Sequence, residues 1–149
     1  MKKQDIESLV TSNEFDDIFG KEFNELINLV LRKIPDSYAE RFPQFCIMED
    51  NYPNVHGSIA CVEGRDLDSG EWYVNFTVEL LTKEPRDVQI GIIAHELAHV
   101  YLRHETHEGK KGEKPKDHSK AEKDADELAC QWGFKKEIKA VCENRKMKH

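Results

Sequence analysis

Apolar residues first fall into a regular pattern between Lys21 and Ile34, where Phe23, Leu26, Ile27, Val30, Leu31 and Ile34 recur at intervals of three and four. That spacing lays them along one stripe of a helix whose expected role is packing, and Pro35 stops it. Gln44–Met48 and the run NVHGSIACV that begins at Asn54 read as short strands separated by EDNYP, and EGRDLDSG follows as a turn-rich connector. A further strand is expected around Trp72–Phe76. It is either an open sheet edge on which an extended peptide could pair or an ordinary interior strand.

Pro85 suits the first turn of a helix, where its missing N–H costs nothing, and RDVQIGIIAHELAHVYLRH runs on from it. The segment ETHEGKKGEKPKDH then combines Gly, Pro and Lys without apolar periodicity, so it reads as a mobile loop, its lysines at 110, 111, 114 and 116 solvated. Ser119 can cap a last main helix, KAEKDADELACQWGF, ahead of a charged tail. Trp132 and Phe134 are expected to pack against the helix of residues 86–104. No internal repeat is visible.

At 149 residues the chain has the size of one domain. Its 38% hydrophobic content, with seven Phe and two Trp, excludes global disorder. The formal charge of −7 is uneven: residues 1–99 carry 9 Lys/Arg against 19 Asp/Glu, residues 100–149 carry 13 against 10. That excess of +3 is too small for a nucleic-acid-binding stripe, so nucleic acid is not an expected partner. Cys46, Cys61, Cys130 and Cys142 form no CxxC pair and are read as reduced thiols. The first residues lack the apolar stretch of a signal peptide and no run approaches about 18 apolar residues. A soluble, cytoplasmic protein without a membrane partner is expected.

The chemistry concentrates in IIAHELAHVYLRH, residues 92–104. On a helix, HExxH places His95 and His99 on one face one turn apart, so both imidazoles can bind one zinc ion at about 2.0–2.1 Å. Glu96 lies about 100° round the helix, where it can reach a zinc-bound water as general base. Gly91, Ala94 and Ala98 are small enough to let another element approach closely. The competing reading is a partly buried helix whose histidines are hydrogen-bonded for structure alone.

A zinc site that works on a substrate needs a third protein ligand and one open position. The extended metzincin pattern is absent, because Leu102 and Glu105 occupy its glycine and histidine places. Glu122 and Asp126 share a helix face at i and i+4, so Glu122 can complete the metal shell while Asp126 accepts the free ring N–H of a ligand histidine. Glu122 could instead close a capping box with Ser119. His104, His107 and His118 are rival third ligands.

HELAHV followed by ExxAD resembles the gluzincin metallopeptidases, in which a helical Glu is the third ligand and an Asp four residues later orients a ligand His. The chain is most similar to the CAAX-type and heat-shock-type membrane proteases and to the soluble minigluzincins, over residues 72–134. The membrane members' transmembrane helices are missing. The SprT-like proteases, with a later histidine as ligand, are the rival resemblance.

The expected fold is α+β and zincin-like: a small twisted sheet packed on the HExxH helix, with a second helix supplying Glu122. One domain spans 1–149, with a helical N-terminal part over 1–43 and the sheet and zinc-binding helices over 44–149. The expected function is zinc-dependent hydrolysis of peptide bonds in a peptide or protein substrate, with one zinc per chain, ligands His95, His99 and Glu122, Glu96 catalytic and Asp126 behind the ligands. The alternative is a catalytically idle zinc-containing binding or regulatory module. Tyr101 could steady an oxyanion, though a packing role is the simpler expectation. The tail KKEIKAVCENRKMKH could dock in the cleft and block it through Cys142, His149 or the terminal carboxylate, or lie on the surface. Oligomeric state is not legible.

Overall fold

The computed structural model describes residues 1–13, 18–49, 59–105 and 117–148. Helix α2 (Ile18–Lys33) forms where the three-and-four spacing predicts it, and Phe23, Leu26, Ile27, Val30 and Leu31 are buried along one side. Ahead of it lie helix α1 (Lys3–Leu9) and strand β1 (Val10–Asn13). The N-terminal part is therefore not wholly helical. β1 has only the residues VTSN, too short and polar to stand out, and becomes a strand by pairing in parallel with β2 (Phe45–Glu49).

Strands β3 (Ala60–Arg65) and β4 (Trp72–Phe76) complete a four-stranded sheet of order β1-β2-β4-β3. β1, β2 and β4 run parallel and β3 runs antiparallel to β4, so the architecture is α+β. Gly64 and Arg65 still pair with Tyr73 and Trp72, which shortens the expected connector to the turn Asp66–Gly70. Within that turn the Asp68 N–H donates to Asp66 Oδ1 at 2.9 Å and Gly70 takes a φ of 76°, which a side chain would resist. Residues 54–58, where the expected second strand begins, and 50–53 of its EDNYP separator lie outside the described residues.

β4 sits between β2 and β3, so it is an interior strand and not an open edge. Its alternation is clear, with Trp72, Val74 and Phe76 buried and Tyr73 and Asn75 half-buried. The register of β3 slips between Val62 and Gly64. A bulge of this kind bends an edge strand and strengthens its twist.

A short helix α3 (Val78–Leu81) leads to Pro85, which caps helix α4 (Arg86–Leu102). From Val88 to Val100 every residue of α4 except Gln89 is buried. α4 is enclosed by α2, β3, β4, α5 (Ser119–Ala129) and α6 (Lys135–Lys148), which explains why its sequence is apolar all round. α5 continues through a π turn (Cys130–Phe134), where Gly133 at φ 102° breaks the helical path and starts α6. The expected charged tail is this α6. Trp132 and Phe134 are buried, and Trp132 meets Tyr38, Phe42 and Tyr101 with ring centroids 5.8, 6.1 and 6.2 Å away. That cluster ties the end of α4 to the kink and to the 3-10 turn Asp36–Arg41.

No helix among the described residues is long and apolar enough to cross a membrane. Residues 106–116 of the expected mobile loop, with its four lysines, lie outside the described residues.

α6 crosses α4 at Gly91, where an added Cβ would come within 2.5 Å of the Glu137 carbonyl oxygen and 2.6 Å of Val141 Cγ2. The backbone carbonyl cannot yield as a flexible side chain would. Gly91→Ala should therefore destabilise the protein by about 1–3 kcal/mol despite the better helix propensity of alanine. A melting temperature equal to or above wild type, read by circular dichroism, would contradict this close approach.

Candidate metal centre

α4 sets His95 and His99 one turn apart, their ring centroids 4.5 Å from each other and their planes nearly perpendicular at 88°. Both are buried, at 3% and 0% exposure. Apolar surroundings make such a placement costly unless each nitrogen has a partner. α5 supplies the partners for His95. It packs on α4, and buried Ala125, Leu128 and Ala129 on α5 and fully buried Ala94 and Ala98 on α4 are among the residues of the two helices.

From α5, Glu122 Oε2 lies 2.9 Å from His95 Nε2 and Glu122 Oε1 lies 3.1 Å from His99 Nε2. The two Nε2 atoms are 3.0 Å apart. One helical turn further along, Asp126 Oδ1 is 2.7 Å from His95 Nδ1. A carboxylate can only accept, so His95 Nδ1 carries a proton and donates it to Asp126. The remaining nitrogen of His95 thus points at Glu122 and His99.

Among the described residues, His95, His99 and Glu122 form the one group of His, Cys, Asp and Glu side chains whose ligand atoms could hold a metal ion, all within 4.8 Å of one another. The separations of 2.9, 3.0 and 3.1 Å, which involve both Glu122 oxygens, are each comparable to the edge of a tetrahedron with zinc-like bonds, about 3.3 Å. Two imidazoles and one carboxylate are also a donor set that zinc accepts. The Glu122 and Asp126 side chains are 39% and 34% exposed, so the cluster is dry on the α4 side and reachable from solvent on the α5 side.

The charges are strongly coupled. Burial works against a charged His95, yet the hydrogen bonds to Asp126 and Glu122 prevail and push its pKa up to about 10. Burial would raise Glu122 as well, but its bonds to His95 and His99 hold it well below the usual carboxylate range. Burial pushes the pKa of Glu96 up, against the opposing pull of His95 and His99. Glu96 Oε2 is buried and has no hydrogen-bond partner among the described residues.

The Glu122 carboxylate is turned to the histidines, so the capping box with Ser119 does not form. His118 occupies the N-cap position without a side-chain cap bond, and Ser119 N–H donates to Asp117 Oδ1 at 2.9 Å. Of the rival ligands, half-buried His118 stands outside the cluster and His104 faces Nδ1 of His99 at 3.2 Å, away from the converging atoms. His107 lies outside the described residues. Tyr101 packs between Tyr38 and Phe42, with centroids 5.2 and 5.5 Å away, which is the packing role. Exposed Cys142 is not in the cluster, and His149 lies outside the described residues.

No family model, curated protein or solved structure matches the chain.

Two measurements test this assignment. Glu122→Ala should remove most of the zinc affinity while His118→Ala leaves it near wild type, and the reverse order, read by competition with a chromophoric chelator, would move the third ligand to the histidine. At pH 8 the metal-free His95 is protonated and must lose that proton to offer Nε2, so zinc uptake should release roughly one proton from it. Affinity should rise with pH until about 10 and then level off. Calorimetry in buffers of different ionisation enthalpy reads the released proton, and uptake without release at pH 8 would contradict the charged network.

Proposed function

We propose that this protein is a zinc-dependent metallopeptidase of the gluzincin kind, binding one zinc per chain and hydrolysing peptide bonds in a peptide or protein substrate. The observation that carries this reading is Glu96. Its Oε2 is buried and unpartnered among the described residues, as is Glu137 Oε2, but Glu96 alone of the two stands next to His95 and His99, close enough for both to act on its charge.

Zinc on His95, His99 and Glu122 would supply Lewis acidity toward a peptide carbonyl and toward a water molecule. Glu96 takes the proton of the attacking water and returns it to the departing amine. Burial suits it to both tasks, because a carboxylate with a raised pKa holds a proton more readily than an ordinary one. Asp126 keeps the His95 proton on Nδ1 and so keeps Nε2 free for the metal.

Among the described residues β3 pairs on one side only, with β4, and it packs against α4. An extended substrate would add to this edge and pass its backbone by the cluster. The four cysteines are free thiols, which fits a reducing compartment and hence the cytoplasm.

A second reading is favoured by His95 itself. As an imidazolium it is satisfied by two carboxylates with no ion present, so the cluster could serve a catalytically idle binding or regulatory module.

One variant separates the two. Glu96→Gln should keep zinc at one per chain by native mass spectrometry and keep the fold by circular dichroism. It should lose about 10²- to 10⁴-fold in chelator-sensitive cleavage of a denatured protein substrate, as expected when a general base is removed. Equal cleavage by both proteins would move the chemistry away from Glu96, and zinc binding with no cleavage by wild type would favour the idle module.

A further inference from the structure

We propose that His104 is the positioning residue for His99, holding its ring through Nδ1 so that Nε2 stays free for the metal; this builds on the zinc site proposed above. His104 Nδ1 lies 3.2 Å from His99 Nδ1, and the ring centroids are 5.4 Å apart at 61°. Since the two nitrogens of an imidazole lie on different edges of the ring, a group that engages Nδ1 of His99 sits behind the ring, away from a metal at Nε2. His104 therefore cannot ligate a metal that His99 holds through Nε2. With a metal at Nε2, His104 can accept the Nδ1 proton of His99; without one, Glu122 Oε1 accepts from His99 Nε2 and the His99–His104 bond runs the other way.

The backbone explains why this contact is built in. Helix α4 ends in a turn in which the Arg103 N–H donates to the Val100 carbonyl at 3.0 Å and the His104 N–H donates to the His99 carbonyl at 2.9 Å. This paired closure lays the side chain of the second residue past the helix against the residue five positions earlier. Commonly that contact is apolar; here it joins two imidazoles. The turn requires a left-handed residue, and Arg103 adopts φ 59° and ψ 44° although it is not glycine. Its guanidinium holds the conformation by donating to the Tyr101 and Arg41 carbonyls, each at 3.0 Å. Backbone strain kept by specific bonds beside a site is a reason to look for a role there.

The symmetry with His95 adds to the case. Asp126 takes the Nδ1 proton of His95 from α5, and His104 stands in the same relation to His99 from the end of α4 itself. Each ligand ring is then oriented from behind by a different element.

The test compares His104→Asn, whose side-chain oxygen can replace Nδ1 as an acceptor, with His104→Phe, which keeps the ring but not the acceptor. Zinc affinity of the full chain is measured by chelator competition, with the melting temperature of the metal-free protein as a control for folding. His104→Phe should bind zinc about 10- to 100-fold more weakly and His104→Asn within a few-fold of wild type. In the zinc-loaded protein, the His99 Nδ1 proton should be visible by nuclear magnetic resonance in wild type and His104→Asn and exchange away in His104→Phe. Should His104→Phe fail to fold, His104→Gln and His104→Ala provide the same contrast between acceptor and none. Equal affinity with and without the acceptor would overturn the positioning role and leave the zinc site standing. Absence of zinc binding by wild type would instead defeat the zinc site itself.

Discussion

The imidazole of His95 is held at both nitrogens by carboxylates one turn apart on α5, and this double contact decides how α5 lies on α4. Taking an ion from water into a protein interior costs several kcal/mol, and only close, well-aligned partners offset it. Glu122 and Asp126 can both reach one ring because residues four apart on a helix share a face. The helices must also come near enough. Both helices carry fully buried alanines near these residues, Ala94 and Ala98 on α4 and Ala125 and Ala129 on α5, which take up little room.

The rest of the chain is arranged around this constraint. After α5 the left-handed Gly133 turns the chain into α6, which meets α4 where Gly91 offers no side chain. The aromatic cluster of Tyr38, Phe42, Tyr101 and Trp132 fastens the turn from the other side. β3 and β4 cover a further face of α4, so its His95–His99 stretch is buried, with Glu122 and Asp126 meeting solvent beside it.

The cluster has two self-consistent electrostatic states. In one, a proton on His95 bridges Glu122 and Asp126. In the other, a metal cation would take the place of that proton, held by His95, His99 and Glu122. The same geometry serves both because each needs the Nδ1 proton kept on the far side of the ring. Unlike Glu122 and Asp126, which bond to the histidines, Glu96 is buried with no hydrogen bond to Oε2 among the described residues.

Local periodicity alone determined the helix around Phe23–Ile34, the pairing of His95 with His99 and that of Glu122 with Asp126, because residues three or four apart share a helix face whatever surrounds them. β1 escaped notice because VTSN has little pattern of its own and depends on β2 for its hydrogen bonds. The place of β4 inside the sheet was equally invisible, since alternating burial looks the same on an edge and in the middle. Glu122 could have capped its own helix or faced the histidines, and the docking of α5 chose the histidines. In the sequence His104 read as a rival third ligand; the left-handed turn at Arg103, an arginine where a glycine would have signalled it, puts that ring at Nδ1 of His99 instead. Spacing along a helix is a local property and can be read from residues, whereas which faces meet depends on contacts between segments far apart in the chain, and only the packed structure decides those.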